Sequence, residues 1–126
     1  MNFSYDADYF PPAPSIEIWL GAPDAALAVG PIQALVDTGA DVSIAPLHYI
    51  EPLNVQVDNR KYLRSQWGER RQVDTYWLDV GIGELRLPAI EIVADELGEE
   101  IIIGRNILNN LLITLDGPNR LLEIVG

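Results

Sequence analysis

A chain of 126 residues, 48% of them hydrophobic, has room for one domain with an ordinary buried core and none for a second lobe. Its formal net charge of -11 argues against nucleic acid or an anionic membrane surface as partner, since both need a basic face. With no cysteine and only His48 among histidines, it has no disulfide framework, cysteine nucleophile, thiolate metal site or multi-histidine metal site to offer.

The N-terminus carries acids instead of an early basic stretch and lacks an apolar run of signal length. No segment is long enough to span a bilayer, so a cytoplasmic location is the default expectation. Residues 1–14, with Pro11, Pro12 and Pro14, read as an extended arm that is mobile or lies across another surface. The folded domain is expected over residues 15–126. Ile16, Ile18 and Leu20 alternate with Ser15, Glu17 and Trp19, as in a strand with one buried face. Apolar runs at Ala25 to Val29 and Ile32 to Val36 flank Gly30-Pro31, which reads as a turn. Short strands are expected around Val42 to Ala45, Asn54 to Val57, Tyr62 to Gln66 and Val73 to Val80. Gly81-Ile82-Gly83 then divides a hairpin from Glu84 to Val93. Ile101 to Ile103 suits a buried strand, and Asn106 to Leu111 a helix of under two turns. Leu112 to Leu115 and Leu121 to Val125 flank a turn at Asp116 to Asn119. So many short strands with regular turn signals predict a mainly β barrel or sandwich.

Two motifs carry the chemistry. Ala34-Leu35-Val36-Asp37-Thr38-Gly39-Ala40-Asp41 ends an apolar strand on a carboxylate, followed by a small hydroxyl residue and a glycine. A bare Asp-Thr-Gly is common in turns. A catalytic carboxylate, however, must be held rigidly: Thr38 can lock the loop through its hydroxyl, and Gly39 admits close approach of backbone and substrate. Leu35 to Asp41 resembles the signature of the retropepsin-like aspartic proteases, which makes Asp37 the catalytic acid, with Thr38 and Gly39 in its loop. The second hallmark is Ile101-Ile102-Ile103-Gly104-Arg105-Asn106, an apolar strand running into Gly-Arg-Asn and a short helix. By the family pattern Arg105 reaches back to Asp41, its planar fork suited to a carboxylate, and Asn106 bonds the neighbourhood of Ser43.

The resemblance spans about Ser15 to Leu115 and implies a single-domain retropepsin-like acid protease barrel, mainly β, with one short C-terminal helix. It implies an aspartic endopeptidase that uses neither metal nor cofactor. Ala40, Asp41, Trp67 and Gly68 are the substrate-binding candidates. Aspartic proteolysis needs two carboxylates, one activating water and the other donating a proton to the scissile carbonyl oxygen. One Asp-Thr-Gly in a chain this short requires a second Asp37 from an identical chain, a homodimer with a peptide or protein substrate and activity bell-shaped in pH.

Two departures stand out. The stretch expected to form the flap, Arg60 to Trp77, has only Trp67-Gly68 where a glycine-rich tip is common, and a further hairpin follows the helix. The competing reading is a catalytically weak or inactive peptide-binding or dimerisation module on the same fold. Five of the eight basic residues, Arg60, Lys61, Arg64, Arg70 and Arg71, fall in the flap region. They are read as a solvated hairpin surface, the alternative being contact with acidic substrate or partner residues. Trp67 either covers substrate or packs under the hairpin. His48 is expected to be structural or exposed, and the acidic stretch Asp95 to Glu100 a solvated loop.

Overall fold

The computed structural model describes residues 1–64 and 68–125. Among these the chain forms β1 (Asn2–Ser4), β2 (Ser15–Gly21), β3 (Val29–Val36), β4 (Ser43–Pro46), α1 (Leu47–Ile50), β5 (Asn59–Arg64), β6 (Arg70–Ile82), β7 (Leu85–Asp95), β8 (Ile101–Ile103), α2 (Arg105–Leu108), β9 (Leu112–Asp116) and β10 (Leu121–Val125). None of the described helices is long and apolar enough to cross a membrane.

Six strands close into a barrel in the order β2-β3-β8-β4-β7-β6, and β6 returns to β2 through Trp19–Gly81, Leu20–Val80 and Gly21–Asp79. Closure leaves no open sheet edge in the ring, while β5 extends from β6 as a hairpin outside it. The period-two alternation of β2 holds: Ile16, Ile18 and Leu20 are buried and Glu17 faces solvent. With Leu78, Val80 and Ile82 of β6 they form the centre of the core. Each such side chain contributes about 1.5–3 kcal/mol by leaving water. The architecture is the mainly β acid-protease barrel that the resemblance implies, with the short C-terminal helix in place.

Several local expectations are corrected. Gly30-Pro31 is not a turn but lies inside β3, where Ile18↔Ile32 and Leu20↔Val29 enclose a bulge. Gly30 sits at φ +147, and a Cβ there would lie 2.8 Å from the Trp19 ring, so only glycine fits. The bulge also spares the ladder the donor that Pro31 lacks. Asn54 to Val57 is not a strand but follows a 3-10 turn at Glu51–Leu53. Of the apolar run Ala25 to Val29, only Val29 lies in a strand. The β6–β7 turn is at Gly83-Glu84, because β6 runs on through Ile82. The C-terminal helix is a single turn beginning one residue earlier, at Arg105, and α1 was unforeseen.

Residues 1–14 lie against the chain's own body. β1 pairs antiparallel with β10, and β10 with β9, in a second three-stranded sheet. The Met1 ammonium donates to the Ile124 carbonyl at 2.9 Å, and the Ile124 amide to the Met1 carbonyl at 2.8 Å. Leu122 and Ile124 join the barrel core, which fixes the C-terminal hairpin to it.

Candidate active site

β3 is paired on both sides, with β2 and with β8, until it delivers Asp37. The Val36 amide donates to the Pro14 carbonyl and the Asp37 amide to the Ile103 carbonyl, each at 3.0 Å. The backbone entering Asp37 is thus tied to both neighbours. The chain then turns sharply: the Ala40 amide donates to the Asp37 carbonyl at 3.2 Å, and the Gly39 amide to Asp37 Oδ1 at 2.9 Å. The second bond aims the carboxylate along the turn. A Cβ on Gly39 would sit 3.2 Å from that same oxygen, a tight fit that glycine avoids. Asp37, Thr38 and Gly39 are all exposed, Ala40 is half-buried and Asp41 is exposed.

Gly104 locks this turn from beneath. A Cβ there would lie 2.1 Å from the Val42 carbonyl oxygen, so the two chain segments can approach this closely only because residue 104 has no side chain. The Gly104 amide donates to Ser43 Oγ at 2.9 Å, and that buried hydroxyl donates to Asn106 Oδ1 at 2.7 Å. Asn106 Nδ2 in turn donates to the Glu91 carbonyl at 2.8 Å, joining β4, α2 and β7. The Asn106–Ser43 bond is the one that the family pattern implies.

Arg105 behaves otherwise. No ion pair joins it to Asp41 among the described residues; its Nη1 donates to the Thr38 carbonyl at 2.9 Å. The Arg105 amide is itself held by the Ala40 carbonyl at 2.8 Å, so the guanidinium starts beside the turn and meets its backbone. An exposed Asp41 gains little from pairing in water. Nor does the Thr38 hydroxyl lock the loop within one chain, since it makes no hydrogen bond among the described residues. The lock is Arg105 on the Thr38 carbonyl.

Of the flap candidates, Gly68 lies between β5 and β6 at φ +82, exposed and with open space around it, and Trp67 lies outside the described residues. The basic residues of this hairpin are largely engaged by their own chain. Arg60 pairs with Asp74 at 3.1 Å, Arg71 with Asp95 at 2.9 Å and Lys61 with Glu91, while Arg70 stacks over Tyr62 at 5.3 Å. The side chain of Arg64 falls outside the description. His48 is exposed beside Tyr49.

A cleft of about 390 Å³ opens at the root of the hairpin, lined by Leu47, Arg60, Arg71, Asp74, Glu96 and Leu97 among others, and it touches none of Asp37 to Asp41.

One residue that sequence reasoning passed over shapes the barrel wall near the β6–β7 bulge. Asp79 is buried and accepts from the Ala89 amide at 2.9 Å, the Asp24 amide at 3.0 Å and Arg86 Nη2 at 2.7 Å. Burial pushes its carboxyl up, but those donors outweigh burial and hold it below the usual carboxylate range. The available signal was an acid between Leu78 and Val80 in an apolar run.

The sequence profile described as retroviral aspartyl protease matches residues 12–116, a span that contains both motifs. No curated protein sequence gave a significant match. Among solved structures, the chain is similar to a retropepsin-like aspartic protease from Rickettsia conorii at 17% identity and TM-score 0.68, covering 98% of this chain and 88% of that one. It is similar to EIAV protease, solved with the inhibitor HBY-793, at 16% identity and TM-score 0.57, covering 86% and 93%. Simian foamy virus (mac) protease gives 18% identity and TM-score 0.54, covering 76% and 92%. At such identities these likenesses concern the fold, whereas the profile spans most of the chain: the protein belongs to the retroviral aspartyl protease family.

Proposed function

We propose that the protein is an aspartic endopeptidase whose active site forms between two copies of the chain, each supplying Asp37. The observation that carries this reading is the exposed Asp37 on a turn held by Ile103, Gly39 and Arg105, a rigid carboxylate that faces solvent in one chain. A second copy related by a two-fold axis would bring its Asp37 opposite the first. The ionised member of the pair takes a proton from water as the water oxygen attacks the scissile carbonyl carbon. The protonated member gives its proton to the carbonyl oxygen, and collapse then expels the amine with a proton returned from the pair. Thr38 and Gly39 shape the loop, and Ala40, Asp41 and Gly68 are the residues offered to an extended peptide.

The second sheet supports assembly. β9 is the edge of the order β1-β10-β9, and no described strand pairs with its outer side. Leu112 on β9 and Val125 opposite it on β10 are 64% and 52% exposed, adjacent apolar side chains on one face. An unprotected edge with an apolar face is suited to a second copy.

The test is cleavage of a mixed peptide library from about pH 3 to about pH 8 by the protein and by Asp37→Asn. The expected result is bell-shaped activity that the variant lacks while keeping its melting temperature and dimer. Turnover by the purified variant rejects Asp37 as catalyst. Peptide binding without turnover by either form would make the chain a binding module on the same fold.

A further inference from the structure

Phe10 is fully exposed, at 101% the most exposed large apolar side chain described. It is not on a loose tail. The Asp6 amide donates to the Ala13 carbonyl at 2.7 Å and the Ala13 amide to the Asp6 carbonyl at 3.1 Å, closing residues 6–13 into a loop at its neck. Pro11 and Pro12 restrict the backbone beside Phe10. The cost of holding a phenyl ring in water is therefore borne at a defined place.

The β2–β3 register leads from that loop toward the candidate site. β2 and β3 pair with Ser15 opposite Leu35, and the ladder continues beyond β2 through the Val36 amide on the Pro14 carbonyl. One further step along both strands brings Ala13, the neck of the loop, opposite Asp37 in register. Adjacent strands lie about 5 Å apart. Phe10 is three residues from Ala13, so its backbone lies within about 10 Å of the neck. An extended peptide centred on Asp37 covers about 10–13 Å to either side within four residues. The loop therefore falls within the reach of the substrate.

We infer that Phe10 is a specificity-determining residue: it forms an apolar wall for a bulky hydrophobic substrate side chain three to four residues from the scissile bond. This rests on the endopeptidase reading above. Docking a phenyl ring against an apolar side chain removes both from water, a gain realised only by substrates that carry such a residue there. Ala13 at the neck keeps the wall away from the carboxylate, so the contact selects substrate without entering the chemistry.

The experiment profiles wild type, Phe10→Ala and Phe10→Leu with a fluorescent peptide library randomised at one position at a time. Sedimentation of each variant is run in parallel. Phe10→Ala should lose about tenfold in kcat/KM for peptides with Leu, Phe or Tyr at one distal position and change by less than about twofold for Gly or Asp there. Phe10→Leu should retain most of the preference, with dimerisation unaltered in both. An unchanged profile overturns the inference. So does a uniform loss at every position accompanied by weaker dimerisation, which would make Phe10 an anchor between subunits. If wild type cleaves nothing, the endopeptidase reading fails by itself. Anisotropy with the same labelled peptides on the Asp37→Asn chain, with and without Phe10→Ala, then decides the wall: binding weakened about tenfold only for bulky apolar peptides supports it, and equal binding overturns it.

Discussion

Arg105 donates from Nη1 to the carbonyl oxygen of Thr38 at 2.9 Å, while its own amide is held by the Ala40 carbonyl at 2.8 Å. One residue at the start of α2 thus grips the Asp37 turn at two points, one through its side chain and one through its backbone. Arg105→Ala removes only the first. Because Arg105 is exposed, the loss should be about 1 kcal/mol, a fall of about 4 °C in melting temperature. Cleavage should fall further than stability, since the turn that aims Asp37 becomes looser. Calorimetry and initial rates on the same sample check this, and an unchanged melting temperature with unchanged rate would remove Arg105 from the lock.

If each site takes an Asp37 from both chains, Asp37→Asn subunits should poison wild-type subunits. With equal amounts and free exchange, roughly a quarter of the dimers carry two intact chains, so activity should drop to roughly a quarter instead of a half. The rate is read after partial unfolding and co-refolding at constant total protein, beside an unexchanged mixture. A decline linear in the wild-type fraction, with mixed dimers present, would show that one chain holds a complete site.

Leu112→Lys tests the β9 edge. Leu112 is 64% exposed, so the single chain should lose less than about 0.5 kcal/mol. An apolar pair formed across a two-fold axis would become two facing ammonium groups, weakening self-association by at least about tenfold in dissociation constant. Sedimentation over a concentration series is the measurement, and an unaltered constant would place the dimer contact elsewhere.

Asp79 sets an acid limit on stability. Its carboxyl is held below the usual range in the folded chain, so the unfolded chain takes up the proton first as pH falls. The stabilisation is complete above the unfolded value of about 4 and is lost as pH drops through the folded value below it. Asp95, which burial pushes up and which the Leu97 and Gly98 amides and Arg71 pull further down, acts in the same direction. Melting temperature should be flat near neutrality and fall below about pH 4. Asp79→Asn should cost about 2 kcal/mol at neutral pH, discounted from a fully buried pair because Arg86 is partly exposed, and should flatten the acid limb. An equally steep acid limb in the variant would assign the effect to other carboxylates.

How far the chain could be read in advance depended on the range of the interactions. The alternation of Ile16, Ile18 and Leu20, the β-branched run Ile101 to Ile103 and the two motifs, Asp37-Thr38-Gly39 and Gly104-Arg105-Asn106, are local patterns. Local patterns set a strand's faces and a turn's chemistry, so they led to the barrel and to the residues of the candidate site. The Asn106–Ser43 bond was implied by the family resemblance and is present. What stayed hidden depended on partners distant in the chain. Gly30-Pro31 looks like a turn until Trp19 is packed over it and the bulge absorbs the missing amide. Asp79 looks like a misplaced charge until Asp24, Arg86 and Ala89 converge on it. The proline-rich N-terminal segment could be read as mobile or as lying across another surface; β1 finds its ladder in β10 of its own chain, and the loop behind it closes on its own neck. Sequence alone determined the local chemistry, an acid on a tight turn after a buried strand. Only the tertiary structure decided which distant groups satisfy that turn's backbone, because hydrogen-bond and packing partners are chosen by the closed barrel and not by neighbours along the chain.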